Sequence, residues 1–409
     1  MSHLQRPALW IGAGLALHLL FLSALFGDWL RPLFNDASHT RRGFDFGVFY
    51  LAGQALAQGR DIYAVEGAFG YRYLPVFAQI FGRLYALLAP LPAYLLHLFF
   101  SELFLLANLW LTKRLFTQPL QRSRALFMWM AFSPLFLEFY IGQVSFWAAS
   151  LFYWLIVALG SKQPRVHAAL WAAAILVKPN MLILLPALIR LRHFRAVSLA
   201  LTGTALVTIP YFLIYPAALF TFTGVNLQVG HFKGALTHAG NLGLWGTLVS
   251  LGAKLSAVPL AELSSLSDLP LWAALPAYII PVITVIATLY ITFTSRSADP
   301  VLHLSLWMTT YFLVYKDIWE HHYVFLLPVF VTLYARSHSA QLLWIYAALA
   351  IPTPFVFFDT QAGIYGPIDP EREWSLLTTL TYRSAKLAPT LVFWLWIVAR
   401  HKKAINNPK

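Results

Sequence analysis

The chain has 409 residues, of which 59% are hydrophobic and 11% charged. A water-soluble protein of that length could not cover its surface with so few charges, so the composition excludes one. The formal net charge of +13 would suit a nucleic-acid partner, but the basic residues are spread over short loops, where Lys and Arg fix membrane topology.

Apolar runs near the ~20 residues that match a hydrocarbon core recur from end to end, so the sequence predicts an all-α polytopic membrane protein. One helical bundle over residues 1–409 is the natural unit, with about ten to twelve spans. The absence of cysteine removes disulfides and thiolate metal sites. The opening stretch, with a basic start and a long apolar core, reads as a signal anchor rather than a cleaved signal peptide.

The first span runs from about Ala8 to Leu30, with Arg6 holding its start inside. Residues 31–72 then form the first outer loop. Within it, FGVFYLAGQALAQG predicts a short amphipathic helix ending at Gly59 and lying along the interface. The run YLPVFAQIFGRLYALLAPLP is interrupted by Gly82, Arg83 and prolines, and either crosses or re-enters the membrane. A span from Tyr94 to Leu111 ends in Lys113 and Arg114, which with Arg122 and Arg124 mark an inner loop.

The chain returns outward from Leu126 to Tyr140, presents Gly142 and Gln143, and goes back over 145–160. Two apolar halves follow, broken at Lys178-Pro179-Asn180, with Arg190, Arg192 and Arg195 at the inner end. Later spans fall near 197–215, 271–293, 301–315, 323–335, 341–357 and 384–399. The segments 216–269, 315–323 and 359–374 come out on the outer side, and the basic tail 400–409 on the inner side.

Chemistry-bearing residues therefore collect on one side: Asp45, Asp61, Gln143, Lys178, Asn241, Asp317, Glu320, His321 and His322. Each has a plain alternative. Asp45 lies between Phe44 and Phe46, just after Arg41 and Arg42, and is either a loop acid paired with an arginine or a general base. Asp61 either caps the next helix or takes part in the site. Tyr71-Arg72-Tyr73 is either an interfacial aromatic belt or carries a phosphate-binding arginine. Lys178 either snorkels to the interface or holds a phosphate beside a helix break. Trp319-Glu320-His321-His322 fits no common zinc spacing, so no metal is expected; it is either a hydrated helix end or a donor to phosphate and sugar hydroxyls. Asp317 and His321 share a face if that stretch is helical.

Taken in order, these elements resemble glycosyltransferase family 87 of the GT-C superfamily. The resemblance rests on DFGVFYLAG at 45–53, GRDIY at 59–63, YRYLP at 71–75, GQVS at 142–145, KPN at 178–180, NLGLWG at 241–246 and WEHH at 319–322. The chain departs from the pattern at Leu74, where the family has proline, and at Ser145, where it has asparagine.

The resemblance implies a GT-C-like bundle with a helical first outer loop and a polyprenyl-phosphate sugar donor, often the mannose form. It also implies a glycolipid or envelope-glycan acceptor on the periplasmic side of the bacterial inner membrane, and no cofactor. Asp45 would be the catalytic base of a single inverting displacement. Lys178, His322 and Arg72 would hold the donor phosphate, with Asp61, Tyr73, Gln143, Asn241, Trp319, Glu320 and His321 binding substrate. A secondary transporter is the rival from another class, but it would place its polar groups at the bilayer midplane rather than at span ends.

Overall fold

The computed structural model describes residues 6–27, 42–65, 70–227, 239–260, 263–353, 371 and 374–406. Residues 1–5, 28–41 with Arg41, 66–69 with Glu66, 228–238, 261–262, 354–370, 372–373 and 407–409 lie outside the described residues. Among the described residues every regular element is a helix. The protein is an all-α polytopic membrane protein.

Five helices are long and apolar enough to cross a membrane: Pro7–Gly27, Pro90–Leu115, Pro119–Ile141, Phe194–Ile214 and Leu271–Thr294. Shorter apolar helices occupy Ser145–Ala158, Pro164–Val177, Pro179–Arg190, Pro300–Val314 and Ala340–Ala350. Most of these shorter elements sit where the sequence placed spans, and prolines and turns cut them below the ~20 residues of a full crossing.

The chain packs as two compact units, neither of them continuous in sequence. One comprises residues 41–114 and 138–228 and carries Asp45; the other comprises residues 1–40, 115–137 and 229–409 and carries Trp319–His322.

In the Asp45 unit, the helix Phe44–Ala57 packs against the segment that follows Pro75. That segment is a helix at Pro75–Phe77, a π-turn at Ala78–Gly82 and a further turn at Arg83–Ala86. The packing is backbone on backbone, since a Cβ at Gly53 would fall 1.9 Å from the Gly82 carbonyl oxygen. Small residues permit such close approach of helices in lipid. The predicted break at Lys178 is real. The helix Pro164–Val177 ends there, Lys178 is extended (φ −142°, ψ 108°), and a 3₁₀ helix runs from Pro179 to Leu184. Pro179 causes the break, because proline disfavours the helical region for the residue before it.

In the other unit, Pro7–Gly27 packs on Pro119–Met130, and Leu376–Asn406 packs on Leu244–Leu255, Pro300–Val314 and Ala340–Ala350. The condition for Asp317 and His321 to share a helical face is not met. The helical turn begins only at Glu320, as a 3₁₀ helix to Phe325, and Asp317 lies before it. Asp317 instead accepts from the Trp319 indole N–H at 2.5 Å.

Candidate active site

Asp45 stands in the first turn of the helix Phe44–Ala57, where the helix dipole favours a negative charge. Gly43 precedes the helix with φ +71°, a left-handed conformation suited to glycine. Its N–H donates to the Tyr140 carbonyl at 2.8 Å, and the Tyr94 hydroxyl donates to the Phe139 carbonyl at 2.9 Å. The start of the Asp45 helix is thereby tied to the end of the helix Ser133–Ile141.

Gly142 makes the turn that follows. It has φ +71°, and a Cβ there would meet the Phe46 Cβ at 2.6 Å, so only glycine fits on both counts. The turn delivers Gln143, whose Nε2 donates to Asp45 Oδ2 at 3.0 Å. The Gln143 amide has one reading, because its Oε1 accepts from the Tyr73 hydroxyl at 2.6 Å and from the Val144 N–H at 2.9 Å. An oxygen receiving two donors leaves only the NH₂ for the acid. His97 holds the Gln143 carbonyl at 3.1 Å through Nε2, and its Nδ1 lies 3.0 Å from the Tyr85 hydroxyl. A carbonyl can only accept, so Nε2 carries the proton and Nδ1 takes the one from Tyr85. The His97 ring stacks on Trp147 at 5.0 Å, which locks the assembly into the aromatic core.

Tyr71 and Tyr73 are 1% and 7% exposed, so they belong to this core and not to an interfacial belt. Tyr71 OH donates to the Leu74 carbonyl and accepts from Ala78 N–H, while Tyr63 OH donates to the Tyr73 carbonyl at 2.7 Å. Burial raises the Tyr73 phenol well above the ordinary tyrosine value, and the Asp45 charge adds to the effect. Tyr73 therefore remains a donor to Gln143 across the physiological range.

The Lys178 ammonium lies over the Tyr73 ring, 5.3 Å from its centre, with the side chain 6% exposed. Arg72 is partly exposed and acts electrostatically on Tyr73 from the neighbouring position. Asp45, Gln143, Tyr73 and Lys178 are thus linked in sequence of contact within one unit, with Arg72 next to Tyr73 along the chain. Asp61 lies in the same unit and caps a turn. Its carboxylate caps the 3₁₀ turn Ile62–Ala64, accepting from Tyr63 N–H at 3.0 Å and from Tyr211 OH at 2.8 Å.

The remaining predicted residues lie in the other unit. Asn241 Nδ2 donates to the Lys316 carbonyl at 2.7 Å, and its Oδ1 accepts from Ile318 N–H at 3.2 Å. The side chain ties the Asn241 loop to the segment 316–318, so it shapes the loop. Glu320 Oε1 lies 3.1 Å from Lys386 Nζ and accepts from Thr353 N–H at 2.9 Å. His322 Nδ1 accepts the Trp319 backbone N–H at 3.2 Å. The His322 ring therefore presents Nε2–H, a neutral donor suited to a phosphate or sugar oxygen.

Sequence reasoning passed over four charged side chains. Glu138 is 0% exposed and sits five residues before Gln143. Arg383 and Glu371, each 0% exposed, form a two-pronged pair at 3.0 and 2.6 Å. Arg383 also donates to Ser250 Oγ and to the Asn241 carbonyl. Lys386 donates to the carbonyls of Leu349 and Ile351 at 2.7 and 2.5 Å, besides meeting Glu320. The available signal was position: Glu138, Arg383 and Lys386 are ionisable residues within or beside apolar runs, which are functional or structural candidates by default. Among the described residues, no group of three or more His, Asp or Glu could hold a metal ion.

The model of glycosyltransferase family 87 matches residues 71–315, more than half of the chain. The chain belongs to glycosyltransferase family 87 and is a membrane glycosyltransferase. The matched region takes in Tyr73, Gln143, Lys178 and Asn241, while Asp45 and residues 319–322 lie outside it. No curated protein matches the chain.

Proposed function

We propose that the enzyme moves a sugar, mannose in the first instance, from a polyprenyl-phosphate donor to a lipid-linked or cell-envelope glycan on the periplasmic side of the inner membrane. Asp45 is the general base. It takes the proton of the acceptor hydroxyl while that oxygen bonds to the anomeric carbon from the face opposite the leaving group. The carbon–oxygen bond to phosphate breaks in the same step, its electron pair leaves with polyprenyl phosphate, and the anomeric configuration inverts. Lys178 and Arg72 stabilise the charge gathering on the departing phosphate, where preorganised cations lower a barrier most. The reaction needs no nucleotide and no cofactor.

The observation that carries this reading is the chain of hydrogen bonds behind Asp45. Gln143 is fixed by Tyr73 and Val144, donates to one carboxylate oxygen at 3.0 Å, and leaves the acid partly exposed. A buried lysine over the Tyr73 ring supplies the cation. An acid positioned by a neutral amide, beside but not neutralised by it, suits proton transfer.

The test is transfer from radiolabelled polyprenyl-phosphomannose to membrane glycolipids by purified protein in nanodiscs. Wild type should transfer with inversion, and Asp45→Asn should lose ~10²–10⁴-fold in kcat, the usual worth of a positioned base. Equal transfer by both proteins would remove Asp45 from the chemistry.

A further inference from the structure

The helix Pro90–Leu115 is long and apolar enough to cross a membrane, yet one stripe of it is polar. Tyr94, His97, Ser101, Asn108 and Thr112 are buried, and their spacing keeps them on one helical face. Leu91, Leu95, Phe99, Leu103 and Leu106 are exposed. Every residue of the polar stripe meets the segment 139–154. The Tyr94 hydroxyl donates to the carbonyls of Phe139 and Tyr140, and His97 Nε2 donates to that of Gln143. Ser101 Oγ accepts the Trp147 indole N–H at 2.8 Å. Asn108 donates to Ser150 Oγ at 2.7 Å and accepts from the Trp154 indole at 2.8 Å, and Thr112 meets the Tyr153 hydroxyl at 2.8 Å.

Hydrogen bonds between helices in lipid hold only in one register, whereas apolar surfaces slide with little loss. The stripe therefore sets the height of the segment 139–154 against this helix, and a slip of one turn would break every rung. His97 is the rung that reaches Gln143 itself. Its ring is fully buried and touches both elements that bear on the candidate base. Phe46 and Phe49 of the Asp45 helix lie 5.6 and 6.3 Å from it, and the Gln143 carbonyl accepts from it at 3.1 Å. Tyr85 comes from the turn Arg83–Ala86, which packs on the Asp45 helix. Its hydroxyl lies 3.0 Å from Nδ1 and keeps the proton on Nε2, the tautomer that can donate to a carbonyl.

We propose that His97 is a positioning residue, through which the polar face of the helix Pro90–Leu115 holds Gln143 at hydrogen-bonding distance from Asp45. It acts on the Gln143 backbone and does not meet the substrate. The inference rests on the reading of Asp45 as general base. It adds what fixes the acid and its amide to each other, a ring lodged between the two elements that carry them. A displacement of about 1 Å near the reacting groups can cost ~10²-fold in rate, so the contact bears on kcat.

The test is the transfer assay above, run in nanodiscs on His97→Phe, His97→Gln, Gln143→Leu and the His97→Phe/Gln143→Leu double variant. His97→Phe keeps an aromatic ring beside Phe46, Phe49 and Trp147 and removes both hydrogen bonds. It should lower kcat ~10- to 100-fold and leave donor and acceptor KM within about twofold. His97→Gln brings an amide N–H within reach of the same carbonyl and should recover most of that loss. The double variant should transfer at the Gln143→Leu rate, because a residue acting through Gln143 then has nothing left to position.

Wild-type kcat in His97→Phe would overturn the proposal. So would losses that multiply in the double variant, which would leave His97 as a packing residue. Should His97→Phe fail to fold, Tyr85→Phe takes its place in the cycle. A loss of about fivefold that disappears alongside Gln143→Leu would uphold the proposal, and no loss, or one that persists there, would overturn it. If the cycle behaves as expected but Asp45→Asn transfers like wild type, the positioning stands and the base assignment falls. If wild type transfers sugar from no polyprenyl phosphate, amide hydrogen exchange decides. The Gln143 side chain accepts the Val144 N–H, so peptides spanning 139–147 should exchange faster in His97→Phe than in wild type, with His97→Gln between them. Equal exchange in all three would overturn the proposal.

Discussion

The two units give their charged groups different partners. Around Asp45 the acid is partly exposed and accepts from a neutral amide, while the Lys178 ammonium lies over a tyrosine ring. Around Leu376–Asn406 the charges are closed off: Arg383 meets Glu371, Lys386 meets Glu320, and both cations also donate to backbone carbonyls. The first arrangement sets a carboxylate beside a neutral amide donor. The second matches buried cation to buried acid and serves to hold loops in place. Reactivity and rigidity in this protein are drawn from the same residue types by different pairing.

The largest effect should come from breaking the closed network. Arg383→Met leaves Glu371 buried without its cation, which costs about 3–5 kcal/mol in stability. Thermal or denaturant unfolding in detergent checks this, and adding Glu371→Gln should recover part of the loss. An Arg383→Met protein as stable as wild type would show that the pair contributes nothing to the fold.

Gly142→Ala comes next. A left-handed non-glycine residue costs about 1–3 kcal/mol, and the new Cβ would lie 2.6 Å from Phe46 Cβ. Transfer should fall more than stability does, because the turn that carries Gln143 must shift. Unchanged kinetics would mean that the turn relaxes without moving Gln143.

Gln143→Leu removes the donor to Asp45 and orphans the Tyr73 hydroxyl and the Val144 N–H. Unmatched buried partners cost about 1–3 kcal/mol, so kcat should fall roughly 10- to 100-fold. A change in acceptor KM with kcat intact would assign Gln143 to binding alone.

The smallest effect belongs to Tyr73→Phe, which removes one hydrogen bond to a group still held by Val144. A loss of about 1 kcal/mol, or roughly fivefold in rate, is expected. The sign of any pH effect also follows. Burial raises the Tyr73 phenol, so it stays protonated until pH is well above its ordinary value. Its removal should leave the pH–rate profile in place, and a displaced alkaline limb would contradict the donor role.

Much of the candidate site was legible because local rules carry far in this chain. Lys178-Pro179 announced a helix break, since proline restricts the residue before it. Gly142-Gln143 announced a turn that presents an amide. Asp45 stood out as an acid just past an apolar span. Asp61 and Asn241 were legible as polar residues at element ends, but not as groups that already hold neighbouring backbone in place. The condition on the Asp317–His321 face is unmet because the helix starts three residues after Asp317 rather than before it.

Composition and hydrophobic periodicity by themselves determined that this is a helical membrane protein, because lipid allows the backbone few other solutions. The order of short motifs carried the resemblance to the family. The tertiary structure alone decided which charges are matched. Arg383 is 142 residues from the Asn241 carbonyl it reaches, and Gln143 is 98 from Asp45. Charge pairing in a low-dielectric interior depends on distances of a few ångströms. No spacing along the chain encodes those distances until the helices pack.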